Sequence, residues 1–430
     1  MTRENTLIQV DLSDDLSFSN GFPHDFFSWI RINEPVYWHE PTSVTPDGEG
    51  FWVVSRYEQV NEIIRNPVLF SSDKGGDRTG GGTAIKDEKT AGKLLNQTDG
   101  SQHKRLRALV QKGFTVTAIK KLEEDLRVKA KHLFSGLKCG ERVDFARVLA
   151  PELPSHAICT VLGVPKKDRL DLCTWIDQGI EAESTSVIAV EYLKKVREYA
   201  KSLIAQKKEN PEEDIFSKII HAKFEEDGSS LSDYELGSFF ALLFPAGAET
   251  TTRSISGGML ALLENPNQME QLRKKPELMK TAIEEIVRWT TPSVYKRRTA
   301  TADTELGGKK ILMGQKVTLW EMSANRDEAM FSHPFQFDVT RDPNKHLGFG
   351  VGVHFCLGAS LARLELKVFF EEFLKSNLCV ELDQPVTWVP NNRLVGIKNM
   401  FLRVTERINS KTMSAAIRCW TGQIKWKHLL

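Results

Sequence analysis

The sequence predicts a mostly helical α+β domain. Three observations carry that prediction. Helical periodicity dominates from about residue 103 to residue 290. Short strand-like runs flank that stretch on both sides. Neither an internal repeat nor an interdomain linker interrupts the 430 residues. Apolar content is 40% and charged content 27%, which excludes a disordered chain.

Taken in order, Phe51-Trp-Val-Val-Ser55 reads as a short strand of β-branched and aromatic residues. A helical stretch from Glu58 to Arg65 follows and ends before Pro67. Residues 71–100 are rich in Gly, Ser, Thr and Asp and read as a long mobile loop of the kind that usually serves function. The segment 190–208 is an amphipathic helix that Pro211 stops. A long apolar helix follows Ser232, with Leu236, Phe239, Phe240, Leu243 and Phe244 spaced for one buried face. After Pro292 the texture turns to short strands, with Gly307-Gly308 as a hairpin turn. A final helix starts near Leu357. The domain is expected over residues 1–407. Residues 408–430, with four Lys/Arg, no acid, Trp420 and Trp426, read as a basic C-terminal extension, amphipathic or disordered.

The formal net charge of +1 gives no global bias toward nucleic acid or a membrane surface. Locally, Ser101–Lys121 carries six Lys/Arg and no acid. No apolar run reaches the roughly 18–20 residues of a membrane span, and no signal peptide is visible. The six cysteines are scattered with no C-x-x-C pair, so neither a zinc site nor a disulfide framework is expected. A reducing cytoplasm is the expected compartment.

The chemistry concentrates at Phe349-Gly-Val-Gly-Val-His-Phe-Cys-Leu-Gly358. Gly348-Phe-Gly350-Val-Gly352 imitates a dinucleotide fingerprint, but the third glycine is missing in either register. Glycines at 350, 352 and 358 instead let backbone pass close to a flat ligand. Cys356 precedes an amphipathic helix, where the helix dipole favours a thiolate and free N–H groups can bond the sulfur. A lone cysteine is more often a small buried apolar residue, so the segment needs support from elsewhere.

That support comes from resemblance. Phe349, Gly352, His354, Cys356 and Gly358 resemble the haem-binding signature of the cytochrome P450 family, F-x-x-G-x-H/R-x-C-x-G. The resemblance implies that family's fold, a helical domain with small β-sheets around a buried haem b. It also implies Cys356 as the axial iron ligand, pushing electron density toward O–O cleavage. Gly350 and Ala246 would lie against the cofactor. Three more motifs follow in the family's order. Ala246-Gly-Ala-Glu-Thr250 is similar to the oxygen-activation motif, with Glu249 and Thr250 as the acid–alcohol pair that delivers protons. By themselves these hydroxyls could simply bond back to the preceding helical turn. Glu285-Ile-Val-Arg288 is similar to the family's buried ion pair, with Arg341 as a third member; on residues alone it is an ordinary i,i+3 pair. His103 and Arg107, one helical turn apart, with Arg298 and His354, match the residues that meet the two haem propionates.

The resemblance runs from about residue 20 to 406. It implies a monooxygenase that inserts one atom of O2 into a C–H bond, with electrons from NAD(P)H through a ferredoxin reductase and a ferredoxin. The basic stretch Ser101–Lys121, with Arg363 and Lys367, would dock that acidic partner or merely neutralise the propionates. The protein is expected to act as a monomer. Its substrate is expected to be a hydrophobic small molecule, a terpenoid, steroid or fatty chain, lined by Phe244 and Val294. A peroxide-using relative would lack the acid–alcohol pair. A haem-binding sensor or electron carrier would need neither that pair nor a substrate cavity.

Overall fold

The apolar helix expected after Ser232 spans Asp233–Glu264 and runs through the middle of the protein. The structure is a computed structural model that describes residues 10–181, 187–225, 227–376 and 378–406. The Ser232 hydroxyl accepts the N–H of Glu235 at 3.3 Å, and the Glu235 carboxylate accepts the N–H of Ser232 at 2.8 Å. This reciprocal cap satisfies two amides of the first turn and fixes where the helix begins. The helix runs on through Pro245, which leaves the Ala241 carbonyl without its N–H partner. Leu236, Phe240, Phe244, Ile255, Met259 and Leu262 have no surface left exposed. They pack among Glu152–Val161, Val187–Glu209, Met279–Thr290 and Ala359–Lys375, so this helix is enclosed by other helices rather than by solvent.

A five-stranded sheet lies to one side. Its order is Val36–His39, Phe51–Val54, Lys316–Leu319, Lys296–Ala300 and Phe70–Ser71. All pairs are antiparallel except Phe51–Val54 with Lys316–Leu319. Its local core gathers on Trp320, fully buried, stacked on Phe18 with centroids 6.1 Å apart and donating Nε1–H to Thr318 at 2.9 Å. Gly307 and Gly308, both at positive φ, make the two-residue turn between Thr304–Leu306 and Lys309–Ile311. The amphipathic segment expected over 190–208 is the helix Val187–Glu209, and the final helix is Ala359–Lys375.

The expected mobile loop at 71–100 is corrected by the structure. Asp87 takes Arg78 at 2.6 Å and Arg297 at 2.7 Å, Ile85 donates its N–H to the Tyr295 hydroxyl at 3.3 Å, and Arg393 reaches Thr83 at 2.8 Å. The segment is held in place by residues more than two hundred positions away. Its polar composition resembles a free loop because those partners are distant in sequence. The C-terminal extension 408–430 lies outside the described residues.

Candidate functional site

The helix Ala359–Lys375 starts at Gly358, and the chain before it forms a tight loop. Gly350 and Gly352 take φ of 64° and 69°, a conformation a side chain would strain. They allow the Cys356 N–H to fold back onto the Phe349 carbonyl at 2.9 Å. Arg363, one turn into the helix, stacks over the Phe349 ring at 4.5 Å and so fixes the ring.

Cys356 lies deep in the protein, and burial pushes its thiol pKa up. The Gly358 N–H bonded to the sulfur and the cations Lys296, Arg107 and Arg363 act in the opposite direction. The helix-end effect read from sequence is therefore present, but burial outweighs it. Despite that depth the side chain is not covered: Cys356 is exposed, as is the neighbouring Phe355. Ala246 is exposed too, midway along the enclosed central helix. The two helices touch where Thr251 hydrogen-bonds Glu365, five residues beyond Ala246 and nine beyond Cys356. Uncovered side chains inside the fold mark the walls of an internal cavity.

Cations gather at its rim. Arg298 is buried, and burial lowers its pKa; its guanidinium bonds only the Arg297 carbonyl, at 2.9 Å, and makes no ion pair among the described residues. An unpaired buried guanidinium is costly unless an anion meets it. Arg107 donates to the Phe355 carbonyl at 2.7 Å. His103 is buried with its ring nitrogens 2.9 and 3.0 Å from the carbonyl oxygens of Leu95 and Val353. Two of the four basic residues thus grip the backbone of the cysteine loop. His354 lies against His103, centroids 4.3 Å apart, with Nε2 3.1 Å from Asp99 and 3.2 Å from Ser72. Burial works against the Asp99 charge. Hydrogen bonds from His354, Ser71 and the Asp73 amide outweigh it and hold the carboxyl at about 2. Two arginines and two histidines thus gather at the cysteine loop, with Asp99 bonded to His354, a set that suits a ligand carrying two carboxylates.

On the central helix, Thr250 donates its hydroxyl to the Ala246 carbonyl at 3.0 Å and Thr252 to that of Ala248 at 2.8 Å. Glu249 is mostly buried and ion-paired to Arg253. Sequence reasoning passed over Arg253, although its i+4 spacing from Glu249 was readable. It also passed over Glu365, 1% exposed and bonded by Thr251. Burial keeps the Glu365 carboxyl well above the usual range, and its Oε2 has no partner among the described residues. Nothing in the sequence marks that acid as buried.

Glu285, Arg288 and Arg341 are brought together, with Arg288 Nη2 2.7 Å and Arg341 Nε 3.1 Å from the Glu285 carboxylate. Phe244 and Val294 are not where a substrate would meet them. Both are fully buried: Phe244 stacks on Phe240 with centroids 5.6 Å apart, and Val294 sits in the core around Trp320. This corrects the substrate-lining expectation. The apolar spacing that placed Phe244 on a buried face describes packing, not a cavity wall. The basic face is also narrower than expected. Arg105 pairs with Asp227, Lys112 with Glu225, Arg363 with Glu284 and Lys367 with Glu123. Lys104, Lys120 and Lys121 are exposed and make no ion pair among the described residues.

A cavity between a long helix and a cysteine loop, rimmed by cations, defines a class of protein that encloses a flat anionic cofactor. The cytochrome P450 family model matches residues 181–399, and the chain belongs to the cytochrome P450 family. A Mycobacterium tuberculosis protein that carries the name cytochrome P450 126 is 47% identical over 411 residues, covering 94% of this chain and 99% of the relative. A steroid C26-monooxygenase of Rhodococcus jostii is 37% identical over 367 residues, covering 84% and 77%. A cytochrome P450 of Mycobacterium marinum, solved in complex with pseudoionone, superposes with a TM-score of 0.82 at 33% identity, covering 93% of this chain and all of that one. The chain is thus a P450 monooxygenase, of a family that uses haem b and O2. Among the described residues no helix is long and apolar enough to cross a membrane.

Proposed function

We propose that this P450 inserts one atom of O2 into a C–H bond of a terpenoid, steroid or fatty-chain molecule, with Cys356 as the protein ligand to the haem iron. The observation that carries the reading is Cys356 itself, deep in the fold yet uncovered, with an N–H on its sulfur. When bound, the haem supplies oxygen activation and the attack on the C–H bond.

The chain supplies the rest. Arg298, unpaired and buried, offers a charge-assisted hydrogen bond to a propionate. His103, Arg107 and His354 complete the basic rim while holding the loop that carries the cysteine. Gly350 and Gly358 keep side chains from the cofactor's face, Phe349 braces the loop, and Ala246 presents a small surface on the opposite wall. The Thr250 hydroxyl donates to its own helix and keeps its lone pairs for a water, which it can orient. Glu249, within one residue of it, carries protons to that water. Electrons come from NAD(P)H through a ferredoxin, for which Lys104, Lys120 and Lys121 offer unpaired positive charge. We read residues 1–407 as one haem domain.

The substrate reading rests on the steroid and pseudoionone named for the relatives. A panel of pseudoionone, a steroid with an intact side chain and hexadecenoic acid tests it by haem spin-state shift, followed by 18O2 incorporation into product. Thr250→Ala is expected to keep the spin-state shift and divert most of the reducing equivalents into peroxide. Fully coupled turnover in that variant contradicts the proton-delivery role.

A further inference from the structure

Arg253 is 8% exposed and holds two groups from different parts of the chain. One nitrogen, Nη2, pairs with the Glu249 carboxylate one turn back on the same helix. The other, Nη1, donates to the Leu394 carbonyl at 2.6 Å, 141 residues away in sequence. A planar guanidinium can serve both acceptors at once; a lysine ammonium on its single stem reaches one or the other.

The segment that Arg253 grips is fixed on its remaining sides. Asn392 donates to the Leu12 and Ser13 carbonyls at 3.1 and 3.2 Å, and its N–H goes to Asp15 at 2.8 Å. The Val395 N–H meets the Pro292 carbonyl at 3.0 Å, and the Val294 N–H meets that of Arg393 at 3.1 Å. Gly396 then closes on the Arg253 stem. A Cβ there would lie 2.7 Å from both Cγ and Cδ of Arg253 and 2.9 Å from Nη1, so only glycine lets the arginine pass.

We infer that Arg253 is a positioning residue that ties the Glu249 carboxylate to the segment around Leu394, so that proton delivery depends on how that segment is seated. The inference rests on the reading of Glu249 as the proton carrier. A rigid bridge of this kind holds the carboxylate in one orientation and transmits any displacement of the 391–397 segment to it.

Holoprotein variants Glu249→Gln, Arg253→Lys and Gly396→Ala test it, with pseudoionone as the substrate probe. Two quantities are measured: product formed per NAD(P)H consumed, and amide hydrogen exchange over residues 393–397, which needs no substrate. Arg253→Lys keeps the charge but breaks the bridge. It is expected to lower product per NAD(P)H by about tenfold and to speed exchange at Leu394 to Ile397 by about tenfold. Gly396→Ala, which touches neither acid nor cofactor, is expected to do the same by displacing the arginine. Glu249→Gln is expected to lose coupling with exchange unchanged. If Arg253→Lys and Gly396→Ala exchange at the wild-type rate, or if Arg253→Lys stays coupled while Glu249→Gln does not, the bridge is overturned and the proton carrier stands. If Glu249→Gln stays fully coupled, the reading of Glu249 falls and the inference falls with it.

Discussion

Arg288 donates to both oxygens of Glu285 in the interior, Nε to Oε2 and Nη2 to Oε1, each at 2.7 Å, and neither side chain has any exposure. The Glu285 carboxylate also accepts from Arg341, Asn344 and the Asp338 amide at 3.1, 3.0 and 3.0 Å. Arg288 directs its remaining donors at the carbonyls of Asn325, Pro334 and Gln336 at 2.8, 2.9 and 3.3 Å. The pair thus ties the helix Met279–Thr290 to the irregular chain that leads to the cysteine loop. Removing Arg288 strips the buried Glu285 carboxylate of its two shortest hydrogen bonds. Arg288→Ala is therefore expected to cost about 3–5 kcal/mol, measured by denaturant unfolding. A loss below about 1 kcal/mol, the value of an exposed pair, contradicts a structural role for the network.

The neighbouring Glu284 gives a pH dependence. Burial opposes its charge, but hydrogen bonds from Arg363 and His346 outweigh burial and hold the carboxyl at about 2, against 4.5 for a free glutamate. The folded-state value is below the unfolded one. The stabilisation is therefore complete above pH 4.5 and lost as pH falls from 4.5 toward 2. Wild-type Tm is expected to fall through that window. Glu284→Gln is expected to start lower at neutral pH and to lose less on acidification. Parallel Tm profiles for the two proteins contradict the assignment.

Arg298 makes the most specific claim about cofactor retention, because its guanidinium is buried and, among the described residues, bonds only a neighbouring carbonyl. Arg298→Met removes one charge-assisted hydrogen bond to a propionate, about 1.5–3 kcal/mol, hence roughly ten- to hundredfold faster haem loss. Haem transfer to excess apomyoglobin measures it. An unchanged transfer rate means that the propionates are held without Arg298.

Local signals made much of the fold legible. Ser232 with Glu235 marks a helix start, and Gly307-Gly308 marks a turn; each acts through atoms a few residues apart. The motif residues around Cys356 were legible for the same reason, since the loop's backbone-to-backbone hydrogen bonds close within ten residues. What stayed hidden depends on distant partners. The order of 71–100 comes from Tyr295, Arg297 and Arg393, the burial of Glu365 from the central helix, and the second bond of Arg253 from Leu394. Phe244 shows the converse: periodicity identified its buried face but could not tell core from cavity wall. Asp99 precedes the helix that carries His103 and Arg107, a place where an aspartate ordinarily caps. Its carboxylate bonds His354, Ser71 and two amides instead of capping that helix.

The central claim is that Cys356 ligates haem iron as a thiolate. The ferrous carbon monoxide spectrum of the purified holoprotein tests it most directly. Wild type is expected to absorb near about 450 nm, the position of thiolate-ligated haem, and Cys356→Ser is expected to lose that band while keeping the fold. Folded, haem-loaded wild type without the band, or Cys356→Ser with the band intact, contradicts the assignment.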